Sequence, residues 1–200
     1  YFVFEQVYDA AGVPIEGLYV DRNGDGTVTP DDMYRYKKAA PDATFGFYTG
    51  VNLGNFDLSL GARAMVGNYV YNNNLASQGV YDFVYNSSGG GDGYLNNVDS
   101  QTEALDINTP RYFSDHYVQD GSFLRIDHIT AGYDFGNIGS AISSFRLSIT
   151  AQNPLLITGY DGIDPEIAAR DITTNSVGFG IDNNIYPRSR TFLLGLNIKF

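Results

Sequence analysis

The chain has 200 residues, a formal net charge of −11 and no cysteine. Without cysteine it has no disulfide framework and no thiolate chemistry. Its acidic balance argues against binding nucleic acid, whose phosphates need a basic face. Its 23 glycines, 16 tyrosines and 13 phenylalanines favour an all-β chain. No apolar run approaches the roughly 18 residues of a membrane-spanning helix, so any membrane crossing would have to use strands.

Alternating apolar and polar residues predict an all-β fold, an antiparallel up-and-down sheet of about five strands. The alternating runs cover residues 1–8, 44–53, 56–71, 122–135, 145–152 and 191–200. Gly54 and Asn55 predict a tight turn between two of these runs, and residues 136–140 predict another. Because the chain opens on Tyr1 without Met or a basic segment, we expect a fragment that begins inside a strand.

The apolar side chains change parity within the run 122–135. Leu124 lies on one parity and Ile129 on the other. One extra residue at Asp127-His128 accounts for the change, since side chains of a strand alternate between its two faces. The sequence therefore predicts a β-bulge at that point.

The last run has one fully apolar face. The apolar parity holds Phe192, Leu194, Leu196, Ile198 and Phe200, and the other parity is mostly polar. A transmembrane strand takes about 9–11 tilted residues, with lipid on one side and a hydrated interior on the other. A half-buried strand of a soluble sandwich shows the same alternation, so this run alone leaves both interpretations open.

Long and short connections alternate along the chain. The long loops lie at about 9–42, 72–120 and 153–184, and the short turns lie near Gly54 and Gly136. Strict alternation places the long connections at one end of the sheet, as in transmembrane barrels with short periplasmic turns and long extracellular loops. The pattern favours a barrel and predicts that the three long loops are extracellular.

Residues 21–32 match the twelve-residue calcium loop, which supplies oxygen ligands at positions 1, 3, 5, 7, 9 and 12. Those positions hold Asp21, Asn23, Asp25, Thr27, Thr29 and Asp32. Gly26 stands where the sharp turn requires glycine, and Asp in place of Glu at the last position predicts weaker binding. We expect a structural Ca²⁺ ion here, followed by a helix over 30–38; the alternative is a metal-free loop of Asn-Gly and Asp-Gly turns.

Several cationic side chains have two interpretations. Arg63, Arg146 and Lys199 either line a substrate path or pair with acidic groups of neighbouring strands or of a plug. Arg188 and Arg190 lie beyond the apolar face of the last run. There they bind either lipopolysaccharide phosphates or acidic groups of nearby loops.

Aromatic residues near predicted strand ends are expected to form the interfacial girdles of a barrel. They are Tyr69, Tyr71, Phe123, Tyr133, Phe135 and Phe200. In the long loops, Tyr85, Tyr94 and Tyr117 either stack on sugars or pack the loops themselves. His116 and His128 lack a partner pattern, and the sequence has no nucleophile–base pair, HExxH motif or phosphate loop, so we expect no enzyme.

Several motifs resemble the SusC/RagA family of TonB-linked outer-membrane proteins. They are Ser122-Phe123-Leu124-Arg125 with its continuation to Phe135, Gln152-Asn153-Pro154-Leu155-Leu156 with its continuation to Glu166, residues 181–200, Gly67-Asn68-Tyr69-Val70-Tyr71-Asn72, and the Asp21 loop. The resemblance covers nearly the whole chain, residues 1–200, in the same order. One departure is His128, where the family often has Asn.

That resemblance implies the last part of a transmembrane β-barrel of about 22 strands, a class with a plugged lumen. It implies a plug and a TonB box outside this chain, and a SusD-like lipoprotein over the extracellular mouth. The implied function is TonB-dependent import of glycans, oligosaccharides or peptides across the outer membrane of Bacteroidetes-like bacteria. The alternative is a secreted, calcium-binding, β-rich surface or adhesion module with a dockerin-like loop.

Overall fold

The computed structural model describes residues 1–84, 96–167, 178–183 and 185–200. Its strands are β1 (Phe2–Val3), β2 (Gln6–Tyr8), β3 (Pro14–Tyr19), β4 (Tyr34–Arg35), β5 (Ala43–Leu53), β6 (Phe56–Val66), β7 (Tyr69–Asn72), β8 (Val118–Asp120), β9 (Phe123–Ile138), β10 (Ile142–Thr158), β11 (Ile181–Asp182) and β12 (Thr191–Lys199). Its α-helices are α1 (Asn73–Gln78), α2 (Tyr81–Val84) and α3 (Thr102–Leu105). The chain divides into two compact units, a sheet unit (41–67, 121–159 and 186–200) and a loop unit (1–40, 68–120 and 160–185).

The sheet unit is an antiparallel sheet in the order β12-β10-β9-β6-β5. This architecture confirms the all-β antiparallel fold expected from the sequence. Gly54, at φ +61°, and Asn55 form the predicted tight turn between β5 and β6. The second predicted turn lies slightly later than 136–140, because β9 continues to Ile138 and the chain reverses at Gly139, φ +67°.

β9 carries the predicted β-bulge. Gly61 of β6 pairs with His128, and Ala62 pairs with Ile126, so Asp127 is the extra residue. The bulge brings the apolar side chains on both sides of Asp127 to the same face of the sheet.

β10 is longer than the sequence indicates. The expected start of the last long loop at Asn153 is wrong, because the strand continues to Thr158. Asn153 has φ +50° and lies in a register shift between Gln152 and Leu155, after which pairing with β9 resumes up to Phe123. The break in alternation is therefore an irregularity within the strand and not its end.

The loop unit contains the strands that do not belong to the large sheet. β1 pairs with β4, β2 pairs with β3, and β11, β7 and β8 form a third small sheet. The run 1–8 is therefore split into β1 and β2 and takes no part in the large sheet. Val3, Leu75, Val80 and Tyr117 are buried together in a hydrophobic core of this unit.

The run predicted at 56–71 also ends early. β6 stops at Val66, and Gly67 adopts φ +80°, a left-handed conformation that glycine tolerates best. The amide of Gly67 donates to Ser122 Oγ at 3.0 Å, which fixes the turn. Residues 69–72 then form β7 in the small sheet of the loop unit.

The segments expected as long loops contain regular structure. The first includes β3, β4 and a 3-10 turn at Pro30–Asp32, and the second includes the α-helices and β8. The helix expected over 30–38 does not form, because Tyr34–Arg35 pairs with β1. The glycine-rich stretch 87–93 lies outside the described residues. Within the described ranges, no helix is both long and apolar enough to span a membrane.

Candidate functional site: a two-faced sheet and an aspartate-rich loop

One face of the sheet unit is apolar across all of its strands. A row in register across the sheet runs through Val51, Leu58, Ala131, Ile149 and Leu194. Ile149 is 55% exposed and Leu194 is 68% exposed, although both are large and apolar. Soluble proteins rarely expose so continuous an apolar surface, whereas barrel strands turn it toward lipid.

A second row on the same face includes two aromatic side chains and lies nearer the short turns. It runs through Leu53, Phe56, Tyr133, Leu147 and Leu196. Tyr133 and Phe135 are both exposed and meet edge to face, with ring centroids 4.8 Å apart. Their position near the strand ends fits an interfacial girdle.

Three other residues expected in the girdles lie elsewhere. Tyr69 and Tyr71 belong to the loop unit, where Tyr71 is buried in its core. Phe123 is also buried, at the start of β9. The prediction is wrong for Tyr69 and Tyr71 because the run 56–71 breaks at Gly67 instead of continuing through the sheet, and it is wrong for Phe123 because that side chain is buried.

Of the three loop tyrosines, the structure describes Tyr117, and this residue does not support sugar stacking. Tyr117 is 1% exposed and packs in the core of the loop unit, so no ligand can stack on its ring. Tyr85 and Tyr94 lie outside the described residues. The interpretation that loop aromatics pack the loops is therefore correct for Tyr117.

The opposite face of the sheet is polar, and it carries two ion pairs. Nη2 of Arg146 donates to both carboxylate oxygens of Asp57, at 2.9 and 2.7 Å. The pair lies across Gly132, where an added Cβ would overlap both partners. The hydroxyls of Thr130 and Thr150 are 2.9 Å apart on the same face. Glycine thus leaves room for a long charged side chain to lie flat against the sheet.

Two further arginines of this face are also engaged. Nε of Arg63 lies 3.4 Å from Oδ1 of Asp127, the bulged residue. Together with the Arg146–Asp57 pair, this contact confirms that Arg63 and Arg146 pair with acidic groups of other strands of the sheet. Arg125 is 1% exposed, and its Nη1 donates to Asn153 Oδ1 at 2.7 Å. Arg125 was not predicted as a site residue from the sequence. Its parity is opposite to that of the apolar Leu124, and this parity indicates the polar face.

The remaining predicted cations lie on the surface. Lys199, Arg188 and Arg190 are exposed. The carbonyl of Arg188 accepts a hydrogen bond from Asn153 Nδ2 at 3.0 Å, which fixes the backbone before β12. Binding of lipopolysaccharide phosphates by Arg188 and Arg190 stays a prediction.

The predicted calcium loop forms a compact turn. The carboxylate of Asp21 accepts the amides of Gly24 and Gly26, each at 2.7 Å. Both glycines have positive φ, +76° and +85°, as the sharp turn requires. Asp25 accepts the amide of Thr27 at 2.8 Å. The acidic side chains therefore organise the backbone of the loop.

Asp32 closes this loop from its far end. It is fully buried, and its oxygens accept the amides of Arg22 at 2.9 Å, Asn23 at 3.1 Å and Thr29 at 2.8 Å. The hydroxyl of Thr29 accepts the amide of Asp31 at 3.3 Å, which completes a capping box. Hydrogen bonds from the Thr29 and Asn23 amides hold the pKa of Asp32 below its usual value.

Calcium binding at this loop stays a prediction. The carboxylate, carboxamide and carbonyl oxygens are the donors that Ca²⁺ prefers. Among the described residues, no group of three or more His, Cys, Asp or Glu side chains is arranged to hold a metal ion. The carboxylates face backbone amides in this arrangement, so a bound ion would have to share their oxygens.

Glu16 is a second carboxylate that organises the loop unit. It accepts hydrogen bonds from the backbone amides of Asn108 and Thr109 at 3.1 Å and from the Thr109 hydroxyl at 2.7 Å. Nη2 of Arg111 lies 3.1 Å from the same carboxylate. Burial opposes ionisation, but the hydrogen bonds from Thr109 and Asn108 outweigh it and lower the pKa of Glu16 to about 2.

Curated relatives match the chain over most of its length, whereas no family model matches it. The TonB-dependent receptor SusC of Bacteroides thetaiotaomicron is 39% identical over 211 residues, covering 100% of this chain and 19% of that protein. The TonB-dependent receptor P3 of Formosa agariphila is 30% identical over 197 residues, covering 92% of this chain and 19% of that protein. The chain thus spans about a fifth of the length of these relatives.

Solved structures share the fold. The RagAB peptide transporter superimposes with a TM-score of 0.70 at 23% identity, over 100% of this chain and 22% of that chain. The RagAB peptide importer in the closed-closed state gives a TM-score of 0.66 at 23% identity, over 100% of this chain and 23% of that chain. At this level of identity the likeness establishes the fold.

A sheet with one continuous apolar face and one polar, ion-paired face has the two surfaces of an outer-membrane β-barrel wall, and it shares its fold with RagAB. The sequence relatives refine this class. The chain belongs to the SusC/RagA-like TonB-dependent transporters and is a segment of one.

Proposed function

We propose that the complete protein imports a nutrient across the outer membrane in a TonB-dependent manner, and that this chain forms part of its barrel wall. The observation that carries the proposal is the 39% identity to the receptor SusC over the whole of this chain. The two-faced sheet supports it, because lipid on one side and a hydrated lumen on the other require these two surfaces.

The cargo is an oligosaccharide or a peptide. The first class is the one that the resemblance to the SusC/RagA family implies, and the shared fold with a structure described as a peptide importer fits the second. Arg63 and Arg146 of the polar face are paired with Asp127 and Asp57, so these two charges do not select one class.

The proposed partners follow from the same family. We expect a SusD-like lipoprotein on the extracellular side, TonB acting through segments outside this chain, and lipopolysaccharide around the exposed Arg188 and Arg190. The secreted surface module is not favoured, because a soluble domain would have to cover the apolar face of its sheet.

The test is growth of the native bacterium after deletion of the gene. We expect the deletion to abolish growth on one class of polymer, either a glycan or a protein digest, while growth on glucose or free amino acids is unchanged. A parallel tonB deletion should give the same defect. Normal growth on all glycans and digests taken up by the parent strain would contradict the proposal.

A further inference from the structure

The aspartate-rich loop contains an asparagine followed directly by a glycine, Asn23-Gly24, and this pair occurs once in the sequence. Both residues are exposed. Asparagine is one of the thermolabile residues of proteins. It loses its amide when the backbone nitrogen of the next residue attacks its side chain and closes a succinimide ring. Glycine at the next position favours this attack, because it has no Cβ to crowd the nitrogen.

The backbone nitrogen of Gly24 already faces a base. It donates to Oδ1 of Asp21 at 2.7 Å, a short bond to a carboxylate. The second oxygen of Asp21 accepts the amide of Gly26, also at 2.7 Å, which holds the carboxylate in place. A general base must lie within hydrogen-bond reach of the proton that it removes. Asp21 meets this requirement for the Gly24 amide.

The side chain of Asn23 is held at both of its polar atoms by Asp25. Its Oδ1 accepts the amide of Asp25 at 2.9 Å, an Asx-turn that spans Gly24. Its Nδ2 donates to Oδ2 of Asp25 at 3.1 Å. The amide donor polarises the carbonyl group of Asn23 and lies where it stabilises negative charge on Oδ1, as a donor of an oxyanion hole does. The electrophile is therefore oriented as well as the nucleophile.

We propose that this loop promotes its own deamidation at Asn23, with Asp21 as the general base. The Gly24 nitrogen forms a bond to Cγ of Asn23 while its proton passes to Asp21, and the carbonyl electron pair moves onto Oδ1. That pair then re-forms the carbonyl, the Cγ–Nδ2 bond breaks, and ammonia leaves with the proton returned by Asp21. Water next adds to either carbonyl of the succinimide and opens the ring to aspartate or isoaspartate.

Either product changes the loop covalently and in one direction. Aspartate adds a negative charge beside Asp21 and Asp25. Isoaspartate inserts a methylene into the backbone, so the spacing on which the Asx-turn with Asp25 depends is lost. The loop would therefore differ between newly made and aged copies of the protein. This inference goes beyond the proposed import function and does not depend on it.

The test compares the folded protein with an unfolded reference. Full-length transporter in detergent and a synthetic peptide of residues 19–34 are incubated in the same neutral buffer with a calcium chelator. Chymotryptic digestion and mass spectrometry follow the conversion of Asn23, and fragmentation separates isoaspartate from aspartate. We expect conversion about tenfold faster in the folded protein than in the peptide, because a positioned general base accelerates the attack. Conversion no faster than in the peptide would overturn the proposal.

Asp21→Asn removes the base and keeps the size of the side chain. It should convert about tenfold more slowly than the parent. Asp31→Asn is the matched control, because it removes the same charge at an exposed position after the loop turn and should convert at the parent rate. Equal rates for Asp21→Asn and the parent would also overturn the proposal. The comparison of the parent with the peptide needs no variant, so it stays decisive if Asp21→Asn disturbs the loop.

Discussion

Acidic side chains of the loop unit act chiefly on the backbone around them. Asp21 and Asp32 accept amides from within their own loop, and Glu16 accepts amides from a segment distant in sequence. For Asp32 and Glu16, these bonds lower the pKa of the carboxyl group and favour its charged form. At the scale of single residues, these groups determine how the loops fold and how they respond to pH and to cations.

Calcium should bind the aspartate-rich loop. Titration calorimetry of the full-length transporter is expected to show a site of weak affinity, about 10⁻⁴–10⁻³ M as in extracellular calcium modules. Asp21→Ala and Asp25→Ala should each abolish the site. Asp9→Ala, outside the loop, should not affect it. Absence of heat from calcium at millimolar concentration would remove this prediction.

Glu16 should make the segment 108–111 sensitive to acid. Its folded pKa of about 2 lies below the unfolded value of roughly 4.3, so its stabilising effect is complete above that value and is lost as the pH falls toward 2. Hydrogen exchange at the Asn108 and Thr109 amides, corrected for intrinsic rates, should accelerate over this window. Glu16→Gln should exchange faster at neutral pH and show a weaker pH dependence. An identical pH profile in both proteins would contradict the assignment.

At the scale of elements, the large sheet separates its two surfaces strand by strand. Side chains alternate along β12, so Leu194 lies on the apolar face and Asn197 lies on the polar face. The register between β12 and β10 continues both faces onto the next strand. The bulge at Asp127 keeps β9 in phase with its neighbours. The effect of a substitution in one strand should therefore depend on which face of the sheet carries the side chain.

Leu194→Arg and Asn197→Arg form a matched pair in β12. An arginine on the lipid face costs about 2–4 kcal/mol near the bilayer midplane, whereas the lumen side tolerates it. Leu194→Arg should reduce the amount of folded, heat-modifiable protein in the outer membrane. Asn197→Arg should leave that amount near the parent level. Equal losses in both variants would contradict the assignment of faces.

Gly132→Ala should weaken the polar face. The new Cβ would occupy space taken by the Arg146–Asp57 ion pair, which has to shift. We expect a loss of about 0.5–1.5 kcal/mol in guanidinium unfolding, the scale of one hydrogen-bonded pair. Gly46→Ala in β5 is the control, because no heavy atom lies within 4 Å of its Cβ position. Equal stability of the two variants would count against the ion pair.

At the scale of the whole molecule, the topology fixes which connections share an end of the sheet. One end of the sheet holds the start of β5, the end of β6, the start of β9 and the end of β10. At these four points the chain continues to or from residues of the loop unit. The two short turns lie at the other end. In a transporter of this family the first end should face the medium and the second the periplasm.

Epitope tags should report this orientation on intact cells. A tag after Gly12 lies in an exposed turn of the loop unit, and a tag after Gly139 lies in the short β9–β10 turn; both sites are open. The tag at Gly12 should bind antibody on intact cells. The tag at Gly139 should bind only after the outer membrane is permeabilised. The reverse pattern, with both proteins folded, would overturn the orientation.

Local features of this fold were predictable from the sequence. The turn at Gly54, the bulge at Asp127 and the apolar parity of Leu194 depend on side-chain alternation and glycine conformation, which neighbouring residues determine. The helix expected over 30–38 does not form, because the pairing of β4 with β1 overrides the local preference of these residues for a helix. The continuation of β10 past Asn153 was not predictable, because an irregularity within a strand and the end of a strand interrupt the alternation in the same way.

The sequence by itself determined the class of sheet, its two faces and its resemblance to a transporter family, because these reside in short-range periodicity and in contiguous motifs. Only the tertiary structure decided that Arg125 is buried beside Asn153, that Tyr71 belongs to a core and not to a girdle, and that Asn72 and Asp161 share a pocket. The physical reason is that these contacts join segments far apart in the chain. Their burial and partners depend on chain folding and not on any local pattern.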